Sequence, residues 1–360
     1  MITTATRSVL IVDDSAFMRK LIGEMIAAHP GFHVVGFARD GVDAMTQVKR
    51  LDPDIVTLDL EMPRLDGLDV LQRIMAESPR AVVVLSAGGA QYGDATLRAL
   101  ELGAVDFVRK PSGPVSLDLP VIHDRLIGAL AAAARATLTA PPSIAARTAA
   151  HAPVASPILR RAAQHVVVIA SSTGGPRALA EIMPLLPATL GAAVVVAQHL
   201  PGEFTAALAN RLSRSSVVDV CEAEDGMQLY AGAVYIARGG VNTTITGTPG
   251  AASLRQHAAA PRAGATPSAD VLFESAAHVF AAECTGVVLT GMGRDGSLGL
   301  KQIRANGGRA IVQDKESSAI YGMPRAALAE AGADQVVSLS MMVSAIIGMV
   351  PRERLEWLTV

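Results

Sequence analysis

The sequence predicts an α/β protein built from two doubly wound, largely parallel-sheet units. Three observations predict it. Short apolar, β-branched runs alternate with helical patterns over most of the chain. Many of these runs end in Asp, Ser, His or Lys, and the carboxyl edge of a parallel sheet is where ligands bind. A tract rich in Ala, Thr and Pro, without strand pattern, interrupts the alternation before its midpoint.

In the first half, Ser8–Val12 is a short apolar strand that ends at Asp13-Asp14. A helix starts at Ser15-Ala16-Phe17-Met18 and runs to about Ala28, before His29-Pro30-Gly31. Phe32–Ala38 is a second strand and Gly41–Arg50 a helix. Ile55–Leu58 is a third strand ending at Asp59, and Ala81–Leu85 a fourth with Ser86 just beyond it. Asp106–Val108 is a short fifth, followed by Arg109-Lys110-Pro111. The topology therefore predicts Asp13, Asp14, Asp59, Ser86 and Lys110 at one sheet edge. Three converging carboxylates repel one another and call for a hard cation, most simply Mg²⁺. One of them can accept a phosphoryl group, while lysine and hydroxyl neutralise and hydrogen-bond its oxygens.

On these residues the first half resembles the receiver domain of two-component response regulators. The stretches are Val9-Leu10-Ile11-Val12-Asp13-Asp14-Ser15, Asp59-Leu60-Glu61-Met62-Pro63 with Asp66-Gly67, Ser86, and Lys110-Pro111. The resemblance covers about Ser8 to Leu130. It implies a flavodoxin-like, five-stranded sheet, phosphorylation at Asp59, and Mg²⁺ held by Asp13, Asp14 and Asp59. It also implies Ser86 and Lys110 as the switch residues that sense the phosphoryl group, with Phe107 at the position of the family's aromatic switch residue.

From about Ala131 the composition shifts to Ala, Thr, Pro and Arg. Residues 131–164 read as a linker, with some helix at the start, between a domain over 1–130 and a second over 165–360.

The second domain opens on Val166-Val167-Val168-Ile169-Ala170-Ser171-Ser172-Thr173-Gly174-Gly175-Pro176. The apolar run is a buried strand, Gly174-Gly175 allow a sharp turn, and Pro176 suits the start of a helix. A hydroxyl on such a turn lies beside unpaired N–H groups, which suits a serine nucleophile with an oxyanion hole. A phosphate-binding loop and a plain Ser/Thr-capped turn remain open for this stretch alone. Neither GxxxxGK[ST] nor GxSxG is present, which argues against a Walker loop and an α/β-hydrolase elbow.

Ala192–Gln198 is the next strand, ending in Gln198-His199-Leu200-Pro201, and Gly202–Leu212 reads as a helix. Val217–Cys221 and Ala233–Ala237 are further strand candidates. Ser268 caps a helix from Ala269 to about Ala282, and Gly286–Thr290 is a strand ending in Gly291-Met292-Gly293-Arg294-Asp295-Gly296. Ala310–Val312 and Gln335–Leu339 are later strands, and Leu339–Val350 a last helix. Ser172, His199 and Asp295 thus each follow a strand end, where a serine, a base and an orienting acid could meet.

These residues give the second half its resemblance to the chemotaxis protein-glutamate methylesterases, the CheB family. The matching stretches are Ala170–Pro176, Gln198–Pro201, Pro267–Phe273, Leu289–Gly296, Gln313-Asp314 and Tyr321–Pro324. The resemblance implies Ser172 as nucleophile, His199 as base and Asp295 as orienting acid. The N–H of Met292, and Thr173, are the implied oxyanion stabilisers. Arg238 stands where the family commonly has proline. The implied reaction is demethylation of methyl-glutamate on methylated chemoreceptor cytoplasmic domains, with glutamine deamidation as a related activity and no cofactor for either. A chemotaxis histidine kinase is the implied phosphoryl donor, and the unphosphorylated receiver is expected to inhibit the esterase. The competing readings are a phosphorylation-gated binding module and a hydrolase of small soluble esters or amides.

A formal charge of −2 gives no net drive toward nucleic acid or an anionic membrane, so neither is expected as a partner. The N-terminus has no apolar signal-like region, no apolar run approaches a membrane span, and Cys221 and Cys284 read as buried reduced thiols. The expected location is cytoplasmic, without membrane insertion.

Overall fold

A computed structural model describes residues 6–87, 93–110, 119–138, 161–258 and 265–350. The chain divides into two compact units, Met1–Thr148 and Ala149–Val360.

The first unit alternates as expected: β1 (Arg7–Val12), α1 (Ala16–Ala27), β2 (Phe32–Ala38), α2 (Gly41–Leu51), β3 (Ile55–Asp59), α3 (Gly67–Glu77), β4 (Ala81–Ser86), α4 (Gly93–Glu101), β5 (Asp106–Arg109) and α5 (Leu119–Ala133). The five strands form one parallel sheet in the order β2-β1-β3-β4-β5. Helices on both faces explain why β3 and β4 are buried at every position. Asp59 and Ser86 are the last residues of their strands rather than the first beyond them. Three side chains cap helix starts: Ser15, where the sequence placed one, accepts from Met18 N, and Asp40 accepts from Val42 N and Asp43 N and Asp66 from Asp69 N.

Two linker boundaries move. Residues 131–133 belong to α5, where Ala132 and Ala133 are buried. At the other end Ala162 bridges Tyr230 and Ala163 is buried in the second core. Residues 139–160 of the expected linker lie outside the described residues.

The second unit contains β6 (His165–Ser171), α6 (Gly175–Ile182), β7 (Ala192–Gln198), α7 (Gly202–Ser215), β8 (Asp219–Glu222), β9 (Ala233–Ile236), β10 (Asn242–Thr246), β11 (Ser253–His257), α8 (Ala269–Phe280), β12 (Cys284–Val288), α9 (Ser297–Ala305), β13 (Arg309–Gln313), α10 (Met323–Glu330), β14 (Gln335–Val337) and α11 (Met342–Met349). Seven strands form a parallel sheet, β14-β13-β12-β6-β7-β9-β8. The chain builds outward from β6 through β7, then returns to pair β12 on the other side. The strand order reverses at β6, and the crevice outside the carboxyl ends there is the expected ligand position.

The core between sheet and helices is filled by Val, Ala and Leu with Phe273 and Phe280. Each fully buried Val, Leu or Phe contributes on the order of 1.5–3 kcal/mol. Unanticipated elements are the antiparallel pair β10–β11 and the short helices α9 and α10. Cys284 is buried, and burial pushes its thiol up, while Cys221 is exposed, contrary to the sequence reading.

Candidate active site

Parallel pairing sets the catalytic edge. Ser171 of β6 is the register partner of Gln198 of β7, and His199 N donates to Ser171 O at 3.0 Å. Ser172 and His199 are therefore the first residues past two neighbouring strand ends. On the other side of β6, Ser172 N donates to Thr290 O at 3.1 Å, which brings in the segment after β12.

The two serines differ in environment. Ser171 is fully buried, and its hydroxyl donates to Gln198 Oε1 at 2.7 Å. Ser172 is half-buried, and among the described residues its hydroxyl takes no hydrogen bond. A nucleophile must keep its hydroxyl available, so Ser172 is the candidate.

His199 Nε2 lies 2.8 Å from Asp295 Oδ2. With Nε2 turned to the acid, Nδ1 is the ring nitrogen left to receive the Ser172 proton. No hydrogen bond joins Ser172 Oγ to the ring among the described residues; such contacts commonly tighten only when substrate binds.

Asp295 is 2 % exposed and is held by more than the histidine. Its Oδ2 also accepts Ala269 N at 2.7 Å, and its Oδ1 accepts Ser268 Oγ, Asp270 N and Gly296 N at 3.0, 3.0 and 3.1 Å. The acid thus sits on the N-terminus of α8, where unpaired N–H groups favour a negative charge. Burial pushes its carboxyl up, but the His199 hydrogen bond, the Asp270 and Ala269 amides and the imidazole's charge outweigh it and hold the group below the usual carboxylate value. The sequence showed Ser268 only as a helix cap. Its second role, donating to Asp295, depends on a contact 27 residues away.

Thr173 is buried, and Met292 is exposed on the loop after β12. The Thr290 hydroxyl donates to Thr173 O at 3.0 Å and accepts Ile320 N at 2.9 Å, tying the Ser172 turn to the segment before α10. Gln313, at the end of β13, accepts Thr290 N at 2.7 Å through Oε1 and donates through Nε2 to Ser317 O at 2.9 Å. Neither role was legible in the sequence. Arg238 is exposed on the loop following β9.

In the first unit, Asp13, Asp14 and Asp59 offer carboxylate oxygens that all lie within 4.8 Å of one another. Asp13 and Asp59 are buried, and Lys110 Nζ lies 2.8 Å from Asp13 Oδ2 and 2.6 Å from Asp59 Oδ2. Burial pushes the Asp59 carboxyl up to about 6, with the Asp13 charge adding to the rise and Lys110 and the Glu61 amide opposing it. Two buried carboxylates with a third beside them and one lysine leave excess negative charge on a set of hard oxygens, which suits a hard divalent cation.

Ser86 and Phe107 are placed less directly. The Ser86 hydroxyl is 2.7 Å from that of Thr96 on α4. Phe107 is buried, with the Arg125 guanidinium 5.9 Å from its ring centre.

Residues 167–346 match the CheB methylesterase family, and residues 9–120 match the response regulator receiver domain. The chain belongs to the CheB methylesterase family. A protein of Geobacillus kaustophilus named protein-glutamate methylesterase/protein-glutamine glutaminase is 44 % identical, over 96 % of this chain and 99 % of its own length. A protein of the same name from Pyrococcus horikoshii is 40 % identical, covering 94 % of this chain and 92 % of its own. The crystal structure of the Thermotoga maritima CheB methylesterase catalytic domain aligns with a TM-score of 0.51 at 37 % identity, covering 52 % of this chain and 98 % of that one. The CheB architecture here is a methylesterase domain with a response-regulator receiver on the same chain. Among the described residues, no helix is long and apolar enough to cross a membrane.

Proposed function

We propose that this chain hydrolyses methyl-glutamate esters on the cytoplasmic domains of methylated chemoreceptors, and deamidates receptor glutamines by the same route, under the control of phosphorylation at Asp59. The observation that carries this reading is the His199–Asp295 pair at 2.8 Å, on the strand end next to the one that presents Ser172.

His199 takes the Ser172 proton as Oγ attacks the ester carbonyl carbon. The tetrahedral oxyanion is received by the Met292 N–H and by Thr173. The imidazolium, stabilised by Asp295, returns its proton to the departing methoxide, and methanol leaves. Water, deprotonated by His199, then attacks the glutamyl–Ser172 ester, releasing glutamate and restoring the serine. With glutamine as substrate the leaving group is ammonia. Apart from substrate and water, every step is carried by side chains and amides of the protein.

In the receiver, an Asp59 carboxylate oxygen attacks the phosphorus of a phosphohistidine on a chemotaxis histidine kinase; the P–N bond breaks and the kinase imidazole leaves, taking up a proton. Mg²⁺ held by Asp13, Asp14 and Asp59 would shield the charge of the incoming phosphoryl group. Lys110 neutralises one phosphoryl oxygen and Ser86 hydrogen-bonds another, releasing its contact with Thr96 on α4. Phe107 follows that movement. The unphosphorylated receiver holds the esterase inhibited until Asp59 is phosphorylated. Kinase and receptor domains place the reaction in the cytoplasm.

The test is methanol release from methylated receptor by the intact protein, with and without acetyl phosphate and Mg²⁺, beside a fragment over 157–360. The intact protein should gain activity with the donor. The fragment should outpace the unphosphorylated parent and ignore the donor. No methanol from any of the three would refute the substrate assignment; a folded fragment slower than the unphosphorylated parent would refute the inhibition.

A further inference from the structure

The last residue of β7 is Gln198, 1 % exposed, and its carboxamide lies between the two residues that must react with each other. Nε2 donates to the carbonyl of Ser172 at 3.0 Å and to the carbonyl of His199 at 3.3 Å. Oε1 accepts the Ser171 hydroxyl at 2.7 Å. A carboxamide has two N–H donors, and here both go to backbone carbonyls, one on the candidate nucleophile and one on the candidate base. Reversing the amide would set its oxygen against two carbonyl oxygens, so the network itself fixes the orientation. The packing agrees: a Cβ at residue 175 would overlap Gln198 Oε1, so α6 begins directly against the amide.

Strand pairing carries this only part of the way. The ladder ends at the Ser171–Gln198 register pair and the His199 N to Ser171 O bond at 3.0 Å, and the carbonyls of Ser172 and His199 lie beyond it. The carbonyl of Ser172 also accepts Gly175 N at 2.7 Å, which closes the turn locally but does not relate it to His199. Among the described residues, Gln198 is the side chain that hydrogen-bonds to the backbone of both.

We propose that Gln198 is a positioning residue for the esterase reaction: one carboxamide fixes the Ser172 peptide relative to the His199 peptide, and so sets the approach of Oγ to the imidazole. It acts through Ser172 and His199 and touches no reacting atom. The proposal rests on the reading of Ser172 as nucleophile and His199 as base. Misplacement by about 1 Å can cost on the order of 100-fold in rate. Loss of the amide donors should therefore lower kcat with little change in KM.

The experiment uses the full-length, phosphorylated protein. Gln198→Met keeps the side-chain volume and removes all three hydrogen bonds. Gln198→Glu keeps the shape and replaces the donors by oxygen. Each is measured for methanol release, for the rate of Ser172 labelling by a fluorophosphonate, and for thermal midpoint, alone and combined with His199→Ala. Gln198→Met should lower kcat and labelling about 10- to 100-fold, with KM within about twofold. In the His199→Ala background it should cost less than about threefold, because no imidazole remains to be aligned. Gln198→Glu should regain activity relative to the parent at the same pH as pH falls and its carboxyl gains a proton to donate. This second variant decides the matter if Gln198→Met does not fold. Parental kcat at neutral pH in either folded variant, or the same loss with and without His199, would overturn the proposal. Ser172→Ala is run alongside: if it stays active, the reading of the whole site falls; if it is inactive while the Gln198 variants match the parent, only the positioning role falls.

Discussion

Gly322 lies flush against Gly291: a Cβ at residue 322 would stand 2.6 Å from the Gly291 carbonyl oxygen and 3.2 Å from Met292 Cα. The same carbonyl accepts Gly322 N at 3.2 Å and Met323 N at 2.8 Å, while Gly291 N donates to Ile320 O at 3.0 Å. The peptide that presents the Met292 N–H is thus gripped by one segment, Ile320 to Met323. Gly322→Ala should push that peptide away and misdirect the Met292 N–H, the proposed oxyanion donor. The expected loss in kcat is about 10- to 100-fold, below the range for deleting such a donor outright, with KM little changed. Steady-state kinetics of methanol release measure both; a parental kcat would exclude the Met292 N–H from the oxyanion hole.

Ser172→Ala should abolish methanol release in a folded protein. His199→Ala should be nearly as severe, and Asp295→Asn less so, because an orienting group commonly costs less than a nucleophile or a base. The triple variant should be no worse than Ser172→Ala alone. Losses that multiplied across the three would mean that the residues do not act as a unit.

Ser268→Ala removes two contacts at once: the cap on Val271 N and the donor to Asp295 Oδ1. The cap alone is worth about 1 kcal/mol. Asp295 titrates below the usual carboxylate value of 3.8 in the folded chain. Its contribution is therefore present above that value and is lost as pH falls through the lower, folded one. Removing a donor from its ionised form raises the folded value. Acid unfolding of the variant, followed by circular dichroism, should begin at a higher pH than in the parent. An unchanged acid midpoint would show that the hydroxyl adds nothing to the carboxylate.

Asp59 behaves in the opposite sense. Its carboxyl is raised from 3.8 to about 6, so ionising it costs stability, and that cost grows as pH rises from about 4 to about 6. Asp59→Asn should stabilise the receiver at neutral pH by on the order of 1–3 kcal/mol. Mg²⁺ should stabilise the parent at pH 7.5, lose that effect below about pH 6, and do little for the variant. Phosphorylation from acetyl phosphate should decline over the same range. Thermal melts with and without Mg²⁺ at several pH values test this; equal Mg²⁺ stabilisation of parent and Asp59→Asn would remove Asp59 from the cation site.

The parallel strands were legible because burial on both faces makes each an unbroken apolar run, as in Val166–Ala170 and Ala192–Ala197. The pair β10–β11 was not, because Asn242–Thr246 and Ser253–His257 are polar strands that carry little apolar signal. Helices α9 and α10 are eight or nine residues long and follow glycines, so tertiary packing rather than sequence period reveals them. The site divides in the same way. Residues with reactive side chains at strand ends could be picked out from the topology. The supports Gln198, Ser268, Thr290 and Gln313 could not, because each acts through a partner that only strand register brings near.

The pairing of Ser171 with Gln198 bears on how such an enzyme can change over time. Ser172 and His199 each leave the sheet one residue after a shared rung, so their spacing starts from the distance between adjacent strands, about 4.8 Å. That distance is a property of backbone hydrogen bonds in a buried sheet, and drift in the surrounding loops does not alter it. Insertions and substitutions beyond the strand ends can reshape what reaches the serine while its partner stays in place. Inheritance of the chemistry and inheritance of the target are thereby separated, and a lineage can exchange one substrate for another without rebuilding its catalyst.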